Sequence, residues 1–112
     1  MQPFGCILNR MDLVFRALAD ESRRALLDSL CARSGQTLGE LCSGLSMTRQ
    51  AVSKHLAVLE DANLVAAVKH GREKLHYLNP VPIAEIASRW IRKFERTRVD
   101  ALVDLKRKLE SE

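Results

Sequence analysis

The chain predicts a mainly α-helical fold of about five helices with one small β-hairpin. Two features carry that expectation. Apolar residues recur at helical spacing over most of the length. One stretch, Leu64 to Leu78, is instead Val- and Ala-rich in its first half and broken by Gly71-Arg72. At 112 residues there is room for one domain, and 46% hydrophobic with 29% charged residues marks it as globular rather than disordered.

The first helix is expected from about Met11 to Ala19, with Met11, Val14, Phe15 and Leu18 on one face. Asp20 can cap a second helix whose apolar residues are Ala25, Leu26, Leu27, Leu30 and Cys31, ending near Ser34-Gly35. Thr37-Leu38-Gly39-Glu40 matches a capping box, in which the Thr and Glu side chains satisfy each other's backbone donors. A short helix then reaches about Gly44, and Gly44 to Met47 makes a turn.

Thr48 is the expected N-cap of the next helix. Val52, Leu56 and Leu59 form its buried stripe, flanked by Ala51, Val58 and Ala62. Arg49, Gln50, Ser53, Lys54 and Ala57 occupy the other face. The helix is expected to stop at Asn63, because Asn tolerates the left-handed C′ position. A short helix, a tight turn and a second helix make a helix-turn-helix unit, whose second helix lies in a DNA major groove.

A hairpin follows. Gly71 at the first central position fits a type II′ turn, whose twist matches the two strands. Lys69, His70, Arg72, Lys74 and His76 cluster on or near its tip, a composition that suits phosphates or a minor groove. Pro80 and Pro82 break the chain, and Pro82 can sit in a first helical turn. A long helical pattern then runs to about Leu109 through Ile83, Ile86, Ala87, Trp90, Ile91, Phe94, Ala101, Leu102, Leu105 and Leu109. It spans roughly 40 Å at 1.5 Å per residue, more than a four-helix core of this size covers. Surplus apolar helix face finds a partner, and a homodimer built on the first and last helices is inferred.

Five motifs are together specific. They are V-F-R-A-L-A-D-E-S-R-R from Val14 to Arg24, T-L-G-E-L from Thr37 to Leu41, and M-T-R-Q-A-V-S-K-H-L from Met47 to Leu56. L-E-D-A-N-L-V from Leu59 to Val65 and G-R-E-K-L-H-Y-L from Gly71 to Leu78 complete the set. From residue 11 to about 95 the chain resembles the ArsR-type winged helix-turn-helix transcriptional repressors. It looks closest to members with a Trp-bearing last helix and no obvious metal site. Where those proteins usually carry Gly after the recognition helix, this chain has Asn63. The resemblance implies a dimeric repressor on double-stranded DNA at a promoter operator; repression comes from the resemblance alone. Two recognition helices about a two-fold axis would read a palindromic site.

The expected layout is an N-terminal extension over 1–10 and a DNA-binding domain over 11–112. Recognition helix 48–62 and wing 65–78 read DNA, and helices 11–19 and 82–109 dimerise. Gln50 and Ser53 are the expected base-edge contacts, since Gln can pair bidentately with adenine. Arg49 reads guanine or grips a phosphate. Thr48 and Lys54 are expected on phosphates, and Arg72 and Lys74 on the backbone or in a minor groove. His55 serves either contact or packing. Val14, Phe15, Leu18, Trp90, Ile91, Phe94, Leu102 and Leu105 are the expected dimer face.

No catalytic residues, cofactor or obligatory metal are expected. The resembled arsenic-sensing motif is E-L-C-x-C-D-L, whereas this chain reads E-L-C-S-G-L around Cys42 and lacks the second thiol. The last helix carries Asp100 and Asp104 but no His. A thiol- or metal-responsive repressor using Cys42 and Cys31 is the alternative; Cys31 and Cys42 otherwise read as small buried apolar residues, and Cys6 as exposed. An odd cysteine count argues against structural disulfides. A second alternative is a protein-interaction module that binds no DNA, which would have no need of Gln50, Ser53 and Lys54.

The net charge of +4 and pI near 9.3 favour anionic partners modestly. The apolar run Leu64 to Val68 is far too short to span a membrane, and Pro3 and Gly5 interrupt any signal-peptide helix, so a cytoplasmic location is expected.

Overall fold

The computed structural model describes residues 9–111. Five helices and an antiparallel hairpin follow in the order α1 (Arg10–Leu18), α2 (Glu21–Ala32), α3 (Leu38–Leu45), α4 (Arg49–Asp61), β1 (Val65–His70), β2 (Glu73–Leu78) and α5 (Val81–Glu110). This is the winged helix-turn-helix fold. The chain divides into two compact units, one ending at Pro82 and one beginning at Ile83. The expected extension over 1–10, with Cys6, lies almost wholly outside the described residues.

Each helix of the first unit starts at a cap. Asn9 Oδ1 accepts the Asp12 N–H and opens α1. Asp20 Oδ1 accepts the Ser22 and Arg23 N–H groups at 2.7 and 3.2 Å and opens α2. The α1–α2 corner is then closed from below. Arg23 Nε and Nη2 donate to the carbonyls of Ala17 and Arg16, and Arg24 Nη1 donates to that of Leu18. Those carbonyls end α1, where few backbone N–H groups remain to meet them; Arg16 O also accepts the Ala19 N–H at 3.3 Å. The Arg-Arg pair of the D-E-S-R-R motif is thus structural.

Thr37 and Glu40 close the expected capping box on α3, and Thr48 Oγ1 accepts the Ala51 N–H to open α4. Between them Ser46 adopts the left-handed conformation at φ 53°, which makes the turn tight. α4 ends in a Schellman motif. Leu64 N–H donates to Leu59 O and Asn63 N–H to Glu60 O, both at 2.9 Å, with Asn63 left-handed at φ 61°.

One core holds the unit together. Val14 and Ala17 of α1, Leu26, Leu27 and Leu30 of α2, and Leu41 of α3 meet Val52, Leu56 and Leu59 of α4. Ala62, Leu64 and Val65 extend that core to the base of the hairpin. The α1 stripe differs from the expected one. Phe15 is exposed, and Ala17 takes the inner position beside Val14. Cys31 is also exposed and Cys42 half-buried, so neither is the buried apolar residue expected. Cys31 lies about 100° around α2 from Leu30, past the edge of the buried stripe.

In the hairpin, Val65 pairs with Leu78 and the register runs to His70 opposite Glu73. Gly71 sits at φ 66° and Arg72 is not left-handed, as a type II′ turn requires. β2 gains a second neighbour through an isolated bridge between His76 and Gln36. Gly35, at φ 79°, lets the chain turn into that bridge, and a Cβ there would stand 3.4 Å from the Tyr77 ring.

The second unit is essentially the single helix α5. Its 30 residues extend about 45 Å. Pro82 falls in its first turn, and Asn79 Oδ1 accepts the Val81 N–H just ahead of it. Trp90, Ile91, Phe94, Ala101, Leu102, Leu105 and Leu109 share one stripe about 120° wide at 100° per residue, and all are exposed. No helix among the described residues is long and apolar enough to cross a membrane.

Candidate nucleic-acid interface

α4 buries Val52, Leu56 and Leu59, which turns its opposite face outward. Arg49, Gln50, Ser53, Lys54 and Ala57 are all exposed there. Every one of those polar side chains can donate a hydrogen bond, as contact with base edges and phosphates demands. Arg49 crosses the first turn of α3, with Nη1 3.7 Å from where a Cβ on Gly39 would stand.

The tertiary structure brings the helix and the hairpin to one site. Arg49 and Ser53 of α4, Thr37 and Gly39 of the α3 start, and Arg72 and Lys74 of the hairpin line a groove of about 500 Å³. Gln50 and Lys54 line a shallower depression beside it, again with Arg49 and Ser53. Thr48 sits at the head of α4 with its hydroxyl oxygen committed to the Ala51 N–H. That oxygen can still donate its proton.

Lys69 lies directly opposite Lys74 across the hairpin. Like charges at facing positions repel, and an anion between or beside them relieves the repulsion. Lys69 is exposed and belongs with the wing cations. It was visible in the basic cluster, but its pairing with Lys74 depends on the register.

His76 is a correction. The alternation of β2 puts it with Lys74 and away from Tyr77, and the sequence placed it in the basic surface cluster. It is only 5% exposed. The loop between α2 and α3 covers it, and Nδ1 lies 2.9 Å from the Gln36 carbonyl oxygen. A carbonyl only accepts, so the ring carries its proton on Nδ1. Gln36, 4% exposed, is the other buried polar side chain and was not singled out in the sequence.

His55 is half-buried on the flank of α4. Its charge adds to the influences that hold Asp20 below the ordinary aspartate pKa, behind the backbone N–H groups of Arg23 and Ser22 and the Arg23 side chain. Val14 is 2% exposed and fills the protomer's own core, so it has no side-chain surface to offer a second copy. Leu18 is half-buried, whereas Phe15, Trp90, Ile91, Phe94, Leu102 and Leu105 are exposed.

Known proteins match this arrangement. A helix-turn-helix domain family model covers residues 18–68. The chain is 42% identical over 86 residues to YuzN, an uncharacterized HTH-type transcriptional regulator of Bacillus subtilis (strain 168), covering 71% of this chain and 94% of that protein. It is 32% identical over 73 residues to the arsenical resistance operon repressor of the same organism, covering 65% and 70%. The solved structure of an ArsR-like transcriptional regulator from Rhodococcus sp. RHA1 superposes with a TM-score of 0.71 at 30% identity, covering 98% of this chain and 99% of that one. These likenesses agree with the outward polar face of α4 and the basic hairpin beside it. The chain belongs to the ArsR family of DNA-binding helix-turn-helix transcriptional regulators, a class that is not enzymatic.

Proposed function

We infer that this regulator is a homodimeric repressor that occupies a palindromic promoter operator. The observation that carries the reading is the shared groove, in which Arg72 and Lys74 of the hairpin face the same space as Arg49 and Ser53 of α4. α4 enters the major groove with Gln50 and Ser53 on base edges, while Thr48 and Lys54 meet phosphates. Arg49 has reach to either. Arg72 and Lys74, helped by Lys69, follow the backbone into the adjoining minor groove. His55, half-buried beside the α2 start, has only part of its ring available for a phosphate.

The exposed apolar stripe of α5 supports dimerisation. Phe94 is 65% exposed, and Leu102, Leu105 and Leu109 each exceed half exposure. A second copy covers such a face and doubles the phosphate contacts, which offsets a modest net charge. The dimer reading also takes in Phe15 and Leu18 of α1, and leaves out Val14, which is buried in its own protomer. Repression is supported by the relative that carries that role in its name. A cytoplasmic location fits a protein that works on the genome.

The reading includes no metal. Among the described residues no group of three His, Cys, Asp or Glu side chains stands close enough to hold one. The exposure of Cys31 favours a thiol response as the second reading. Cys31→Ser and Cys42→Ser variants that release DNA like the parent under oxidant would exclude it.

The test is fluorescence anisotropy on a duplex from just upstream of the protein's own gene, with a scrambled duplex as control and a salt series on both. Selective binding supports the reading. Absence of selectivity here and in an unbiased operator selection would move a protein-docking role into first place.

A further inference from the structure

Gln36 and His76 make no use of their side chains on the outer face of α4, yet they are the two buried polar residues among those described. Their bonds join two elements that the chain separates by 40 residues. The Gln36 amide nitrogen donates toward the Arg33 carbonyl at 2.7 Å, the Ser29 carbonyl at 3.0 Å and Ser29 Oγ at 3.2 Å. That fixes it to the last turn of α2. Its backbone carbonyl accepts the His76 N–H at 2.8 Å and the His76 Nδ1–H at 2.9 Å, so both acceptor positions serve one residue. The His76 carbonyl in return accepts the N–H groups of Gly35 and Gln36 at 2.8 and 3.3 Å.

A two-stranded hairpin has little stability of its own. This one is anchored at its base, where Val65 is buried and Asn79 N–H donates to Leu64 O. The Gln36–His76 bonds hold it at a second point, two residues from Lys74 and four from Arg72 along the same strand and turn. Two anchors restrain the hairpin against rocking about its base. His76 is itself among the residues that line the groove shared by Arg72, Lys74 and Arg49.

We propose that Gln36 and His76 form a clasp that sets the wing at a fixed height over α4, which makes both of them positioning residues for Arg72 and Lys74 on DNA although neither touches a nucleotide. This rests on the reading of the wing as a phosphate-contacting element.

The test compares salt slopes for a mixed-sequence duplex at low salt, since phosphate contacts are independent of sequence. Arg72→Ala/Lys74→Ala removes the wing charges. His76→Leu removes the Nδ1 donor. His76→Asn places an amide nitrogen close to where Nδ1 stands, and Gln36→Met removes the Gln36 amide at similar length. The wing double variant flattens the slope of log K against log salt by about 0.9 per lost phosphate contact. His76→Leu and Gln36→Met, folded by circular dichroism, flatten it by a similar amount, and His76→Asn keeps the parental slope. Adding His76→Leu to the wing double variant changes nothing further.

If the wing variant flattens the slope and His76→Leu and Gln36→Met do not, or if their effects add in full, the clasp is overturned and the wing reading stands. If the wing variant leaves the slope unchanged, the wing reading falls and the clasp with it. Should His76→Leu fail to fold, Gln36→Met carries the comparison. Loss of fold in both assigns the pair to the core alone and overturns the proposal.

Discussion

Asp20 and Arg23 hold each other at the corner between α1 and α2. The Asp20 carboxylate accepts the Arg23 backbone N–H at 3.2 Å, and the Arg23 guanidinium stands 3.7 Å from the other carboxylate oxygen while bonding the end of α1. The Arg23 N–H is the largest influence holding the Asp20 carboxyl below its ordinary pKa. Glu40 is held low in the same way, first by the Thr37 N–H and then by the Arg33 side chain.

A depressed carboxylate pKa contributes stability above the unfolded-state value, and that stability is lost as pH falls through the folded value. Asp20→Asn and Glu40→Gln keep an acceptor for the capped N–H groups and lose only the charge. Both variants therefore unfold at lower urea than the parent near neutral pH. The gap closes as pH falls below the ordinary carboxylate range. A gap that stays constant in a urea series from about pH 7 to pH 3 would refute the linkage.

Asn63 is left-handed at φ 61° and closes α4. Replacing it with Gly, which takes that conformation freely, leaves stability unchanged or raises it by a few tenths of a kcal/mol. Replacing it with Ala costs roughly 1 kcal/mol, because Ala keeps the Cβ clash of the left-handed conformation and lacks the short polar side chain that offsets it. Urea midpoints order the three proteins as Gly at or above Asn, and both above Ala.

Gln50 and Lys54 sit side by side on the outer face of α4 but do different work in the proposed complex. Gln50→Ala narrows the gap between operator and scrambled DNA by about 1–3 kcal/mol. Lys54→Ala weakens both duplexes alike and reduces the salt slope by about 1 per site. Anisotropy titrations separate the two patterns. Equal loss on both duplexes for Gln50→Ala would move that residue to the backbone-contacting set.

The α5 stripe predicts its own test. Phe94→Glu together with Leu102→Glu places charge on the face proposed to dimerise. Sedimentation shows a shift from dimer to monomer, and operator affinity falls at least about tenfold, since one half-site remains per protein. Helix content stays, because both side chains are already exposed in the protomer. A variant that sediments like the parent would remove α5 from the interface.

Much of the fold was legible because its signals are local. Caps depend on a side chain and the backbone within three residues, so Asp20, Thr37 with Glu40, and Thr48 could be placed in advance. Asn63 and Gly71 were legible because few residues accept positive φ. The outer face of α4 followed from helical period alone.

Residues near the edge of a buried stripe were not legible. Cys31 and Phe15 each lie one position from a buried neighbour, and periodicity does not say how far the covering element extends. His76 failed for a stronger reason. Its place near the hairpin tip put it in the basic cluster with Lys74, but a loop 40 residues earlier in the chain roofs that part of the hairpin.

By itself, then, the sequence determined which segments are helix or strand, their ends to within about two residues, and which face of α4 looks outward, because backbone geometry and side-chain period act over a few residues. Only the tertiary structure decided that Arg72 and Lys74 share a groove with Arg49 and Ser53, and that Gln36 holds the strand carrying them. Those relations are set by how separate elements pack, and packing depends on volumes and backbone bonds that no single segment contains.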